Sequence, residues 1–130
     1  MRILVAEDNA INQRLAEALL GRDGHTVTIV ADGAAAVAAA ASETFDIILM
    51  DVQMPGMNGF DATTAIRLHE CRLGQHTRII AMTAHAMQGD RDRCLAAGMD
   101  GYLSKPLRVE DLRRVLADEG VSGGVETPGK

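Results

Sequence analysis

The sequence predicts an α/β fold, a five-stranded parallel sheet with helices on both faces. Short apolar runs alternate with helix-like stretches five times over, and strict alternation is the pattern of parallel strands joined by right-handed crossovers. One of these runs, "FDIILM" at 45–50, is almost unbroken in its apolar character, as expected of a strand buried on both faces. At 130 residues, 47% hydrophobic and 24% charged, the chain has the size and balance of a single soluble domain.

The elements follow in order. "RILVAE" (2–7) is a short strand rich in branched residues. "AINQRLAEALLGRDG" (10–24) spaces Ile11, Leu15 and Leu19 four apart, which predicts one apolar helix face, and its glycines stop it. "HTVTIVA" (25–31) alternates and reads as a second strand. "GAAAVAAAASE" (33–43) is an Ala-rich helix whose small side chains suit close packing on a sheet. After the third strand, "GFDATTAIRLHECRL" (59–73) is helical, with Phe60 and Ile66 expected inward. "RIIAMTA" (78–84) is the fourth strand, and "QGDRDRCLAAG" (88–98) is a polar helix capped by Gly98. "GYLS" (101–104) is the fifth strand, and "RVEDLRRVLADEG" (108–120) carries Val109, Leu112, Val115 and Leu116 on one face. The domain is expected to span 1–120, and "VSGGVETPGK" (121–130) reads as a flexible tail or linker.

Several function classes lack support. A net charge of -5 with no Lys/Arg run gives nucleic acid no electrostatic footing. Nothing approaches the ~18 apolar residues of a membrane span, and no signal peptide precedes the first strand. Cys71 and Cys94 show no pairing pattern and read as free thiols of a reducing compartment. The expectation is a cytoplasmic protein, or a cytoplasmic piece of a longer one.

In an open parallel sheet, ligands bind outside the carboxyl ends of the strands. Glu7 and Asp8 stand at the end of strand one, Asp51 at strand three, Thr83 at strand four, and Ser104, Lys105 and Pro106 at strand five. Taken singly, an acid there is ordinarily a helix cap or turn residue, Thr83 a structural hydroxyl and Lys105 a surface lysine. Asn9 reads as a cap, and Met50, Met54, Met82 and Met99 read as packing. Their joint placement at four strand ends is what points to chemistry. Three carboxylates in one cleft repel, and a divalent cation together with Lys105 would neutralise them. An all-oxygen donor set with room for water and phosphate suits Mg²⁺ rather than zinc or copper. Asp51 is the candidate nucleophile, since a carboxylate can attack phosphorus and hold an acyl phosphate. The Thr83 hydroxyl and the Lys105 ammonium would then meet the phosphoryl oxygens.

The stretches "ILVAEDNAINQ" (3–13), "DIILMDVQMPGMNG" (46–59), "IIAMTAHAM" (79–87) and "GYLSKP" (101–106) together resemble the receiver domain of two-component response regulators. They are most similar to the receivers of hybrid sensor histidine kinases. The resemblance implies a flavodoxin-like sheet of order 2-1-3-4-5. It implies that Asp51 is phosphorylated by a phosphohistidine of a histidine kinase or histidine phosphotransfer domain, in a Mg²⁺-dependent reaction. Asp8 and Asp51 would ligate Mg²⁺, Glu7 would act mostly through water, and the Gln53 backbone carbonyl would complete the site. Thr83 and Tyr102 would be the switch pair that moves the surface of helix four, strand five and helix five. The Lys105–Pro106 bond would be cis, and Gln53 and His85 would tune phosphate lifetime.

Such a chain is mainly a signalling module that assists its own phosphorylation and dephosphorylation. Two other classes use similar parts. A haloacid-dehalogenase-like Mg²⁺ phosphatase would want a second Asp two residues after the nucleophile, where this chain has Gln53. A flavodoxin-like electron carrier would want a hydroxyl- and Gly-rich loop after strand one, where "EDNAIN" stands, and aromatic rings, which are only 2% of residues.

Overall fold

The structure is a computed structural model that describes residues 1–54, 56–84, 88–105 and 107–117, with only the backbone of 88–90. The expectations for His85, for the Lys105–Pro106 bond and for the 121–130 tail fall outside the described residues.

Ten elements alternate along the chain: β1 (Arg2–Ala6), α1 (Ala10–Arg22), β2 (Thr26–Val30), α2 (Gly33–Ser42), β3 (Ile47–Asp51), α3 (Gly59–Leu73), β4 (Arg78–Thr83), α4 (Gln88–Ala96), β5 (Gly101–Ser104) and α5 (Val109–Ala117). The strands form one parallel sheet of order β2-β1-β3-β4-β5, as the family resemblance implied. All five residues of β3 are buried, which explains its unbroken apolar run. β2 lies at the sheet edge and is only half-buried, which explains its alternation.

Side chains of successive strand residues point to opposite faces, and two cores result. On one face Leu4, Ala6, Ile48, Met50, Ile79 and Ala81 pack against α2, α3 and α4 through Ala36, Ala62, Ile66 and Cys94. On the other, Ile3, Val5, Ile47, Leu49 and Met82 meet Ala16 and Leu20 of α1 and Leu112 and Leu116 of α5. Of the residues expected on one face of α5, Leu112 and Leu116 are buried and Val115 packs beside them, whereas Val109 joins neither core. In α3, Ile66 is buried, whereas Phe60 is half-buried beneath the Arg93 guanidinium at 4.7 Å.

The expected apolar face of α1 is corrected. Ile11 is 77% exposed, and the buried positions are Ala16 and Leu20, with Leu19 packed beside them. The inward stripe runs one residue later than Ile11, Leu15 and Leu19 suggest. It includes a small Ala, which lets the helix lie close to the sheet but adds little to an apolar count.

Side-chain caps set three helix starts. Asn9 accepts from the N–H groups of Ile11 and Asn12, Asp32 from Ala35, and Asn58 from Asp61. At the other end of α4, Gly98 takes φ +102, and the Met99 N–H closes on the Cys94 carbonyl at 3.0 Å. This is the expected glycine cap.

Candidate functional site

Register brings the strand ends together. Ala6 lies opposite Met50, Asp51 opposite Met82, and Thr83 opposite Ser104. The next residues, Glu7 after β1 and Lys105 after β5, therefore reach the same rim as Asp51 and Thr83. They line a cleft of about 470 Å³ with Asp8, Asn12 and Gln53.

The chain leaves β3 under tight steric control. The Val52 N–H still bonds the Met82 carbonyl, and the Gly59 N–H bonds the Val52 carbonyl. A Cβ at Gly59 would stand 2.3 Å from the Asp51 carbonyl oxygen. Only glycine lets the start of α3 press against the end of β3. Gly56 in the intervening loop takes φ +73, the left-handed region that glycine enters without strain.

Asp51 is 4% exposed and Glu7 2% exposed, so both acids are removed from bulk water. One ammonium serves them: Lys105 Nζ lies 2.9 Å from Glu7 Oε1 and 3.0 Å from Asp51 Oδ2. Glu7 Oε2 also accepts from the Asn9 N–H at 3.0 Å, and Asp51 Oδ1 from the Gln53 N–H at 3.1 Å. Burial pushes the Asp51 carboxyl up to about 6, and the Glu7 charge adds to it; Lys105 and the Gln53 N–H pull down without prevailing. Burial pushes Glu7 up as well, but the bond and charge of Lys105 and the Asn9 N–H together outweigh it and hold Glu7 low. Burial acts to lower Lys105, and its two carboxylate partners more than reverse this. The two acids share the ammonium, and Asp51 is the one whose carboxyl burial holds high.

Asp8 is exposed, and carboxylate oxygens of Glu7, Asp8 and Asp51 all lie within 4.8 Å of one another. Such hard oxygen donors, one of them open to water, fit Mg²⁺. An ion there would offset the burial, and the lesser Glu7 repulsion, that keep Asp51 high.

The structure thus brings Glu7, Asp8, Asp51, Gln53, Thr83 and Lys105 to one cleft. Tyr102 lies outside that lining, half-buried on the α4 side of the sheet, with the Arg91 guanidinium 5.2 Å from its ring centre. Sequence reasoning missed three supports of the site. They are Gly59 behind Asp51, Arg91 over Tyr102, and Gln13, whose side-chain amide donates to the Glu7 carbonyl at 2.5 Å. The Asn58-Gly59 pair, a cap followed by the smallest residue, was the one available signal for the first.

Known proteins share this sequence pattern and fold. The model of the response regulator receiver domain matches residues 3–117, and the chain belongs to that family. It is 46% identical over 116 residues to the sensor protein GacS of Pseudomonas syringae pv. syringae, covering 88% of this chain and 13% of that protein. It is 44% identical over 120 residues to hybrid signal transduction histidine kinase I of Dictyostelium discoideum, covering 88% of this chain and 7% of that protein. The chain therefore spans only a small part of these relatives. Among solved structures, it is similar to the receiver domain of a sensor histidine kinase from Pseudomonas aeruginosa PAO1, which holds a magnesium ion in its active site cleft. That likeness has TM-score 0.83 and 47% identity, over 92% of this chain and 97% of that one. The receiver domain of Saccharomyces cerevisiae Ssk1, solved with the histidine phosphotransfer protein Ypd1, has TM-score 0.87 and 27% identity, over 97% of this chain and 92% of that one.

Proposed function

We propose that this chain is a phosphoryl-accepting receiver in a phosphorelay, with Asp51 as the acceptor. The observation that carries this reading is the shared ammonium: Lys105 Nζ touches both Glu7 and Asp51, and Asp51 remains the under-compensated acid. An Asp51 carboxylate oxygen attacks the phosphorus of a phosphohistidine. The P–N bond breaks, its electron pair stays on the imidazole nitrogen, and an acyl phosphate forms on Asp51. Lys105 neutralises one phosphoryl oxygen, and the Thr83 hydroxyl bonds another.

Asp8, Asp51, the Gln53 carbonyl and, through water, Glu7 would hold Mg²⁺. When bound, the ion supplies charge neutralisation and alignment of the phosphoryl oxygens. The Gln53 side chain, exposed beside the acceptor, contributes with His85 to setting the lifetime of the acyl phosphate. Movement of Thr83 towards the phosphoryl group is relayed to Tyr102 and the α4–β5–α5 surface.

The donor is a phosphohistidine on a histidine kinase or histidine phosphotransfer domain. Residues 1–120 form the receiver, and 121–130 a linker to other parts of a hybrid kinase. The reading places the domain in the cytoplasm; among the described residues no helix is long and apolar enough to cross a membrane. Acetyl phosphate with Mg²⁺ should add one phosphoryl mass to the intact protein, and Asp51→Asn should abolish it. An unlabelled wild-type protein under those conditions would refute the proposal.

A further inference from the structure

The two acids after β1 point their carboxylates to one place, yet they are neighbours in sequence, and neighbours on an extended chain diverge. Something must fix the peptide unit between them. The loop is held on both sides. The Glu7 N–H bonds the Val30 carbonyl at 3.0 Å and so continues the sheet. The Glu7 side chain is tied to Lys105 and to the Asn9 N–H. Asn9 in turn caps α1. The Glu7 carbonyl oxygen belongs to the Glu7–Asp8 peptide plane. It accepts from Gln13 Nε2 at 2.5 Å, across a separation of six residues.

A peptide unit is planar, so fixing its carbonyl oxygen fixes the whole plane. Rotation about ψ of Glu7 turns that plane and carries the Asp8 Cα and its side chain over the cleft or away from it, and an oxygen held by Gln13 resists that rotation. Asp8 is exposed, with no core packing to hold it. Gln13 is half-buried in the first turns of α1, a rigid element seated on the sheet through Ala16 and Leu20.

We infer that Gln13 is a positioning residue for the metal site: its amide clamps the Glu7–Asp8 peptide so that Asp8 faces Glu7 and Asp51. It touches neither metal nor phosphoryl group. Its effect is on Mg²⁺ affinity and not on the chemistry once the ion is bound. The inference rests on the proposed Mg²⁺-dependent phosphoryl acceptance at Asp51.

The test compares the wild-type chain with Gln13→Met, which keeps the length and loses the donor, and with Gln13→Lys, which restores a donor of similar reach. Mg²⁺ binding is measured by calorimetric titration, and unfolding in EDTA by urea. Gln13→Met should weaken Mg²⁺ binding about tenfold, the low end of the loss seen when outer partners of metal ligands are removed. Its metal-free urea midpoint should stay close to wild type, and Gln13→Lys should recover at least half of the affinity loss on a logarithmic scale. The initial rate of labelling by acetyl phosphate should fall at low Mg²⁺ and return to within twofold at saturating Mg²⁺. Gln13→Glu is the second donor-free variant, to be used if Gln13→Met does not fold. Affinity within twofold of wild type in the folded donor-free variant overturns the inference. So does an affinity loss matched by loss of metal-free stability and not rescued by Lys. A wild-type protein that binds no Mg²⁺ sinks the underlying functional reading as well, so the two failures are distinguishable.

Discussion

Replacing Asp51 with Asn removes the acid whose charge the metal-free site compensates least. In the unfolded chain its pKa is the ordinary 3.8, and in the folded protein it is about 6. Between these values the folded state binds the extra proton, so this group makes stability fall as pH rises from about 4 to about 6. Above that window the ionised carboxylate weighs on the folded state in full. At 1.36 kcal/mol per pH unit the gap between 3.8 and about 6 amounts to about 3 kcal/mol. That is a ceiling, because the Asn amide must find acceptors for its own N–H groups, which leaves a net gain of roughly 1–2 kcal/mol. Urea unfolding in EDTA should therefore find Asp51→Asn more stable than wild type at pH 8. The advantage should shrink through pH 6 and vanish near pH 4, where the wild-type acid is protonated in both states. Saturating Mg²⁺ at pH 8 should stabilise the wild type and narrow the difference. A variant less stable than wild type at pH 8, or a difference that does not change with pH, would refute the electrostatic account of this site.

Other substitutions probe the same scaffold. Lys105→Met leaves Glu7 and Asp51 buried without their shared cation, and should cost about 2–4 kcal/mol at pH 8 by chemical denaturation. Because the folded Lys105 pKa is raised above 10.5, its contribution should be present at neutral pH and disappear as pH climbs past that value. Gly59→Ala puts a methyl 2.3 Å from the Asp51 carbonyl, so it should cost about 2 kcal/mol of stability by urea denaturation and slow acetyl phosphate labelling together. Arg67→Met should separate stability from labelling. Its guanidinium bonds the Gly98 and Thr77 carbonyls and the Glu70 and Asp100 carboxylates, at the sheet edge opposite the cleft. Its loss should cost about 3 kcal/mol while the labelling rate of the remaining folded protein stays within twofold.

Strand order and the convergent acids were legible because both follow from what a sequence displays directly. Alternation of apolar runs yields the parallel sheet, and the family's motifs yield its order. The position of each polar residue immediately after a strand then yields the rim. The outcome differs where small residues or backbone atoms decide the packing. Ala16 and Leu20 are the inward positions of α1, yet Ile11, Leu15 and Leu19 make the stronger apolar stripe. An alanine seated against a sheet scores little on hydrophobicity while controlling how closely the helix approaches. Gly59 is hard to read for a similar reason: beyond its place after the Asn58 cap, its role is to leave free a space next to the Asp51 carbonyl. Gln13 escapes because its partner is a main-chain oxygen, and no side-chain pattern announces such a bond.

The distribution of charge explains why the acceptor needs residues from so many strands. One ammonium serves two buried carboxylates, at 2.9 Å from Glu7 and 3.0 Å from Asp51, and each acid also accepts one backbone N–H. A second buried lysine would quiet the site, and Asp51 would then be an ordinary ion pair with little reason to gain from a cation or a phosphoryl group. Removing Glu7 would relieve Asp51 too, since the Glu7 charge is among the causes that raise it. The chain keeps neither remedy. It retains a nucleophile whose charge is expensive until compensated, on a sheet whose buried strands supply the stability to hold it there. In the proposed reaction, a divalent cation among Glu7, Asp8 and Asp51 would lower the energy of the ionised Asp51, the form that attacks phosphorus. The same imbalance that costs the metal-free domain stability would therefore couple cation binding to the readiness of Asp51 in the proposed reaction.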